Sequence, residues 1–315
     1  MEQSSCRPEA LTESRSAKAG ARPRRRFQHD RRRAARLFLV PLLILWGLCL
    51  IAPILETAYY SLTQWDGLEA TWNGLGNYRT LLHSADFGSV LLNNFLLLLS
   101  VPFAVAIPFC IALLIAAEPP GWRWARALVF LPATLSWVVT GIVWLRFFSA
   151  DGILNHLLGA VGLGFLRMDL LESVHTAIIP IALTFIWSQI GPNTLIFLIG
   201  LGSIDTHVLE AATIDGAGLL RTVHHIILPL MTRFVVFVSI ITLIAAFTAL
   251  FSLIFVMTGG GPGFSTTTME FYIYRLAFSQ TDFGMGAAVG VVLLLVIAFV
   301  SLPLMALYRR AATAS

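Results

Sequence analysis

Six stretches of about 20 or more predominantly apolar residues recur along this chain of 315 residues, at about 37–60, 89–117, 125–148, 176–201, 234–257 and 286–308. In hydrocarbon a backbone must satisfy its own hydrogen bonds, which leaves helices or closed barrels as the spanning structures. The runs are too long and too uniform for the short alternating strands of an outer-membrane barrel. They predict an all-α, polytopic membrane protein with six transmembrane helices. Composition agrees: 57% of residues are hydrophobic and 12% charged, with mean hydropathy +0.81, about half the charge of a soluble domain.

The charged residues orient the bundle. All Lys and Arg residues except Arg79, Arg146, Arg167 and Arg275 fall in the N-terminal tail, in the turn after span two, in the segment between spans four and five, or at Arg309-Arg310. By the positive-inside rule these segments, both termini included, lie in the cytoplasm. Residues 1–36 read as a disordered basic cytoplasmic tail, 37–310 as the six-span domain and 311–315 as a second cytoplasmic tail. The runs Arg24-Arg25-Arg26 and Arg31-Arg32-Arg33 carry charge suited to nucleic acid, but they fit better as the anchor of the first span, with no nucleic-acid partner. The apolar run from Leu37 extends for about 24 residues without a small-residue cleavage site, so it reads as a span, not a signal peptide. Cys6, Cys49 and Cys110 have neither disulfide nor zinc spacing, and the adjacent His224 and His225 do not share a chelating face, so no metal site is expected.

The longest polar interruption between late spans is 203–232. Asp205 or Thr206 suits a helix N-cap, Val208 to Asp215 favours helix, and Gly216 and Gly218 suit a turn. Leu219, Leu220, Val223, Ile226 and Ile227 then fall on one face of a second helix with Arg221, His224 and His225 opposite, and Pro229 marks a bend. Such a hairpin could anchor the bundle at the lipid headgroups. It could equally dock a partner, since Glu210-Ala211-Ala212 and Gly216 offer a close approach.

The spacing Glu210-Ala211-Ala212, three residues, Gly216, nine residues, Ile226, one residue, Leu228-Pro229 resembles the cytoplasmic signature of bacterial ABC importer permeases that work with a substrate-binding protein. Gly76-Asn77-Tyr78, Ile214-Asp215-Gly216-Ala217, Thr258-Gly259-Gly260-Gly261-Pro262, Tyr272-Ile273-Tyr274-Arg275 and Asp282-Phe283-Gly284 resemble the carbohydrate-uptake branch, of maltose or glycerol-phosphate type. The resemblance implies a non-catalytic subunit of the bacterial plasma membrane. Its segment Glu210 to Ala217 and Ile226 to Pro229 would couple it to an ATP-binding subunit dimer. It also implies a second homologous permease subunit, an extracytoplasmic solute-binding protein that meets Gly260, Gly261 and Pro262, and import by alternating access.

The only lysine is Lys18, so no phosphate-binding loop of the Gly-Lys-Ser/Thr kind exists. ATP and Mg belong on the partner ATPase and no cofactor on this chain. Polar groups at membrane depth tend to face an interior path. Trp187, Gln189 and Asn193 in span four and Phe247, Thr248, Phe251 and Ser252 in span five combine rings with amides and hydroxyls, chemistry suited to a neutral sugar or polyol. The same residues could instead satisfy kinks, with Pro192 freeing a carbonyl for Asn193 or its neighbours. Alternatives are a permease for a non-sugar solute and an ion-coupled secondary transporter, whose coupling acids at mid-membrane are scarce here.

Overall fold

The computed structural model describes residues 39–313, with side-chain surroundings up to Arg309. The basic tail, the first two residues of the first expected span, and residues 314–315 lie outside the described residues. The chain divides after Glu56 into two units. Helix α1, Leu39–Tyr60, begins in the first and carries a π-turn at Gly47–Ile51.

Residues 61–83, between the first two expected spans, form a strand pair and a helix. Strands β1, Thr63–Trp65, and β2, Ala70–Trp72, pair antiparallel with Thr63 opposite Trp72. Their turn is closed by Asp66, whose Oδ1 accepts from the N–H groups of Leu68 and Glu69, each at 2.9 Å. These donors, Glu69 first, hold the Asp66 carboxyl below its usual range. Helix α2, Gly76–His83, is tied to the hairpin through Asn77, whose amide donates to Ser61 O at 2.9 Å and Thr63 O at 2.8 Å, while the Tyr78 hydroxyl donates to Ser61 Oγ at 2.7 Å. The Gly76-Asn77-Tyr78 stretch thus fastens this loop to itself.

Span two is two helices, α3, Ala85–Leu98, and α4, Val101–Ala116, parted just ahead of Pro102, which can neither donate to Leu98 O nor leave its predecessor at ease in helix. Span three, expected as one run over 125–148, is also parted. Helix α5, Trp122–Thr134, ends at the extended Leu135, and α6, Trp137–Phe148, restarts on Ser136, whose hydroxyl caps Val139 N at 3.3 Å. Helix α7, Ile153–Ala160, follows, and by length and apolarity the qualifying stretch is Trp137–Ala160. Span four is one helix, α8, Ile178–Leu201. It packs on α4, α5 and α6 and buries Ile181, Phe185 and Phe197 completely.

Helix α9, Thr206–Ile214, and helix α10, Leu219–Leu230, form the polar hairpin. Helix α11, Thr232–Thr248, leaves α10 at 72°. The bend lies at the fully buried Met231, two residues beyond the Pro229 that marks it in the sequence. Span five, expected over 234–257, stops at Thr248 and resumes as α12, Phe251–Met257. Helix α13, Met269–Tyr274, lies in the segment before span six, and α14, Phe283–Thr313, completes the chain. Among the described residues five helices are long and apolar enough to cross a membrane, and the bent pair α10–α11 raises the number to six.

Gly284 shows how the ordered loop seats on the bundle. A Cβ there would collide with the backbone of Thr63 and Trp65, so only glycine lets β1 lie against the start of α14.

Candidate functional site: the polar hairpin and the broken fifth span

The hairpin is closed by short-range bonds. Asp205 accepts from His207 N at 3.0 Å and so caps α9. At the other end Ala217 N donates to Ala212 O at 3.0 Å and Gly216 N to Thr213 O at 3.1 Å, the two bonds of a Schellman ending. That ending requires a left-handed residue, and Gly216 has φ +71°, with nothing within 4 Å of where a Cβ would sit. Glycine is required at this position by the backbone and not by crowding.

Ala212 is buried, whereas Glu210 and Ala211 are exposed, and His207 Nδ1 lies 3.5 Å from Glu210 Oε2 on the surface. The apolar face expected on α10 is divided. Ile227 is buried and Val223 and Ile226 are half-buried, but Leu219 and Leu220 are 80% and 84% exposed beside Ile214 at 86%. The π-turn at Val223–Ile227 breaks the regular 3/4 spacing that the sequence suggests, and the first turn of α10 projects free of the core. The tip therefore offers small and apolar side chains, Ala211, Ile214, Leu219 and Leu220, with two acids, Glu210 and Asp215.

The residues of the expected path are differently placed. Asn193 is fully buried and bridges three helices: its amide donates to Ala104 O of α4 at 2.8 Å and to Thr242 Oγ1 of α11 at 3.0 Å. Ala104 O is the carbonyl that Pro108, lacking an N–H, leaves without its helical donor. The freed carbonyl that Asn193 serves thus arises from Pro108 on a neighbouring helix and not from Pro192 beside it. Thr194 Oγ1 adds a long contact to Pro108 O at 3.4 Å. Gln189 is buried, and Trp187 lies with its ring centroid 5.5 Å from that of Trp144. Phe247 is buried, and the exposed Thr248 donates to Ile244 O within its own helix at 2.9 Å.

Phe251 and Ser252 are half-buried at the start of α12, with Phe251 5.1 Å from the Tyr274 ring and 5.7 Å from both Phe255 and Phe271. The sequence reading does not single out the residue that meets them. Glu270 Oε2 accepts from Phe251 N at 2.9 Å. Burial pushes its carboxyl up to about 7, and the N–H groups of Phe251 and Leu250 act against that rise. The available signal is a lone acid between Met269 and Phe271 in an aromatic segment.

Gly260, Gly261 and Pro262 belong to a built loop. Thr266 Oγ1 donates to Gly261 O at 2.9 Å, Thr267 Oγ1 to Gly260 O at 2.8 Å, and the Asn93 amide of α3 to the carbonyls of Phe264 at 2.7 Å and Thr267 at 3.0 Å. Arg275 holds its guanidinium 4.4 Å from the Phe264 ring centroid. Beside the loop, a cavity of about 940 Å³ is lined by Arg146, Asp151, His156, Asp169 and Pro262 among others.

Apolar helices broken at defined points around buried polar ties, with a polar hairpin exposed at its tip, are the arrangement of a membrane-embedded subunit. The chain belongs to the family described as binding-protein-dependent transport system inner membrane component, whose sequence profile matches residues 87–313. It is 32% identical to the multiple sugar-binding transport system permease protein of Streptococcus mutans, over 84% of this chain and 91% of that protein. To the sn-glycerol-3-phosphate transport system permease protein of Yersinia enterocolitica it is 31% identical, over 83% and 89% of the two chains. The fold is also that of a chain in the crystal structure of a bacterial alginate ABC transporter in complex with alginate pentasaccharide-bound periplasmic protein. The TM-score is 0.78 at 23% identity, covering 89% of this chain and 96% of that one. The protein is thus a permease subunit of a binding-protein-dependent ABC importer of the inner membrane.

Proposed function

We propose that this subunit carries a sugar or related polyol into the cytoplasm by alternating access. In this reading it pairs with a second homologous permease chain, and its energy comes from ATP and Mg on a separate ATP-binding subunit dimer. The termini and the hairpin face the cytoplasm, where Glu210, Ala211, Ala212, Asp215, Gly216 and Ala217, backed by Ile226, Leu228 and Pro229, seat in that ATPase. The observation that carries this role is the capped hairpin itself, with Ala211, Ile214, Leu219 and Leu220 left uncovered at its tip. Ordered backbone supporting exposed apolar side chains suits a partner surface. Gly260, Gly261 and Pro262 face outward in this reading and meet the solute-binding protein.

Sugar is favoured by the name of the streptococcal relative and by the half-buried ring of Phe251 beside the Ser252 hydroxyl, together with Trp187 and Gln189 of span four. Aromatic faces stack on sugar C–H groups while amides and hydroxyls bond the sugar hydroxyls. Asn193, spent on Ala104 and Thr242, serves the path by holding three helices in register. A second reading, import of sn-glycerol 3-phosphate or a similar phosphoester, is favoured by the name of the Yersinia relative.

The test is to isolate the complex from its host and identify the solute carried by the co-purifying binding protein by mass spectrometry. A neutral saccharide or polyol is the expected result. A phosphoester would select the second reading, and a complex without an ATPase would overturn both.

A further inference from the structure

Several helices in this chain are capped by the side chain of the residue just before them. Ser84 caps α3, Ser136 caps α6, Asp205 caps α9 and Thr268 caps α13. Helix α12 differs: Leu250 precedes it and has no acceptor side chain, so the Phe251 N–H, without a carbonyl one turn back, is taken by Glu270, nineteen residues further along the chain. A local cap shapes only its own helix end. A cap from a distant segment makes two segments share one position.

Glu270 is itself held to the outer segment. It is the second residue of α13, the helix whose cap is Thr268, and the neighbouring Phe264 and Thr267 carbonyls are bound by Asn93. Thr266 and Thr267 carry the same network into Gly260 and Gly261. Hydrogen bonds joined through the backbone of residues 264–271 therefore link the glycine loop and α13 to the break in span five, and Glu270 makes the last of them.

We propose that Glu270 is a positioning residue for transport: its carboxylate fixes the outer half of span five to the segment 258–282, so that engagement of that segment re-aims Phe251 and Ser252. The proposal rests on the importer reading above. It assigns Glu270 no contact with solute; its effect passes through the Phe251 amide. Glutamine keeps an oxygen at the same reach and retains the link, alanine removes it, and aspartate, one methylene shorter, falls short of it.

The test uses the complex isolated from the host with its own ATPase and binding-protein subunits, the binding protein being the probe in the form in which it is isolated. With Glu270→Ala, ATP hydrolysis without binding protein is expected to stay within about twofold of the unaltered complex. Stimulation by the binding protein is expected to fall at least about tenfold, and hydrogen exchange of the Phe251 amide to rise at least about tenfold. Glu270→Gln is expected to preserve stimulation and protection.

Unaltered stimulation in Glu270→Ala would overturn the proposal. So would Glu270→Gln failing as badly as alanine, because charge and not the accepted N–H would then be the requirement. If Glu270→Ala does not assemble, Glu270→Asp decides: loss of stimulation in an assembled complex supports the link, and wild-type behaviour sinks it. An unaltered complex that shows no stimulation would count against the importer reading, and exchange at Phe251 would still decide whether Glu270 holds that amide.

Discussion

The hairpin and the interior of the bundle solve the same problem by opposite means. In the hairpin both ends of α9 are satisfied by residues next to them: Asp205 bonds His207 N, and the Gly216 turn closes on Ala212 and Thr213. At two breaks in the interior the partners are remote. Ala104 O meets Asn193, and Phe251 N meets Glu270. A locally closed element keeps its shape whatever the bundle does, which suits a rigid body that a partner can grip. An interior closed by long-range bonds changes only when helices move together, which suits a path that must reorganise between states.

The sharpest way to break this contrast is at Asn193. Asn193→Ala would leave Ala104 O and the Thr242 hydroxyl without their buried partner, a loss of about 1–3 kcal/mol. Thermal unfolding of the purified complex should show a larger drop for this variant than for any single substitution in the hairpin. Pro108→Ala restores an N–H for Ala104 O, so in that background Asn193→Ala is expected to cost less, with a coupling of about 1 kcal/mol in the double-mutant cycle. Simple additivity of the two would mean that Asn193 does not answer Pro108.

That pairing also marks where the sequence stops being legible. The apolar runs define a helical membrane protein, and Asp205, Gly216 and the fixed spacing to Pro229 mark the hairpin, because caps and turns depend on neighbours only. The proline in span two and the asparagine in span four each look like a local kink signal. Their complementarity exists only once α4 and α8 take register. Glu270 is hidden for the same reason, since the N–H it serves belongs to a break that no proline or glycine announces. Ser136 was within reach as an N-cap, but the apolar run on either side of it conceals the interruption. On α10 the 3/4 pattern misplaces Leu219 and Leu220 because a π-turn changes the register midway.

A smaller effect is expected at Gly216. Valine would have to take a left-handed backbone, costing about 1–2 kcal/mol or a remade turn, with no steric clash to add. The complex should still insert and assemble, but ATP hydrolysis should lose its stimulation by the binding protein. Gly216→Asn, which tolerates that conformation, should retain most of it. Normal uptake and normal stimulation in the valine variant would remove the hairpin from the coupling route.

The smallest change tests locality directly. Asp205→Ala removes one cap bond and should cost about 1 kcal/mol, recovered by Asp205→Ser, which can accept from the same N–H. Because that bond ends within the hairpin, its cost should add to that of Asn193→Ala within about 0.5 kcal/mol when both are made in one chain. A larger interaction energy would mean that the hairpin's ends feel the interior in the resting protein. The hairpin would then be a continuation of the long-range network, and the rigidity needed to grip a partner would have to be supplied by the bundle instead of by its own caps.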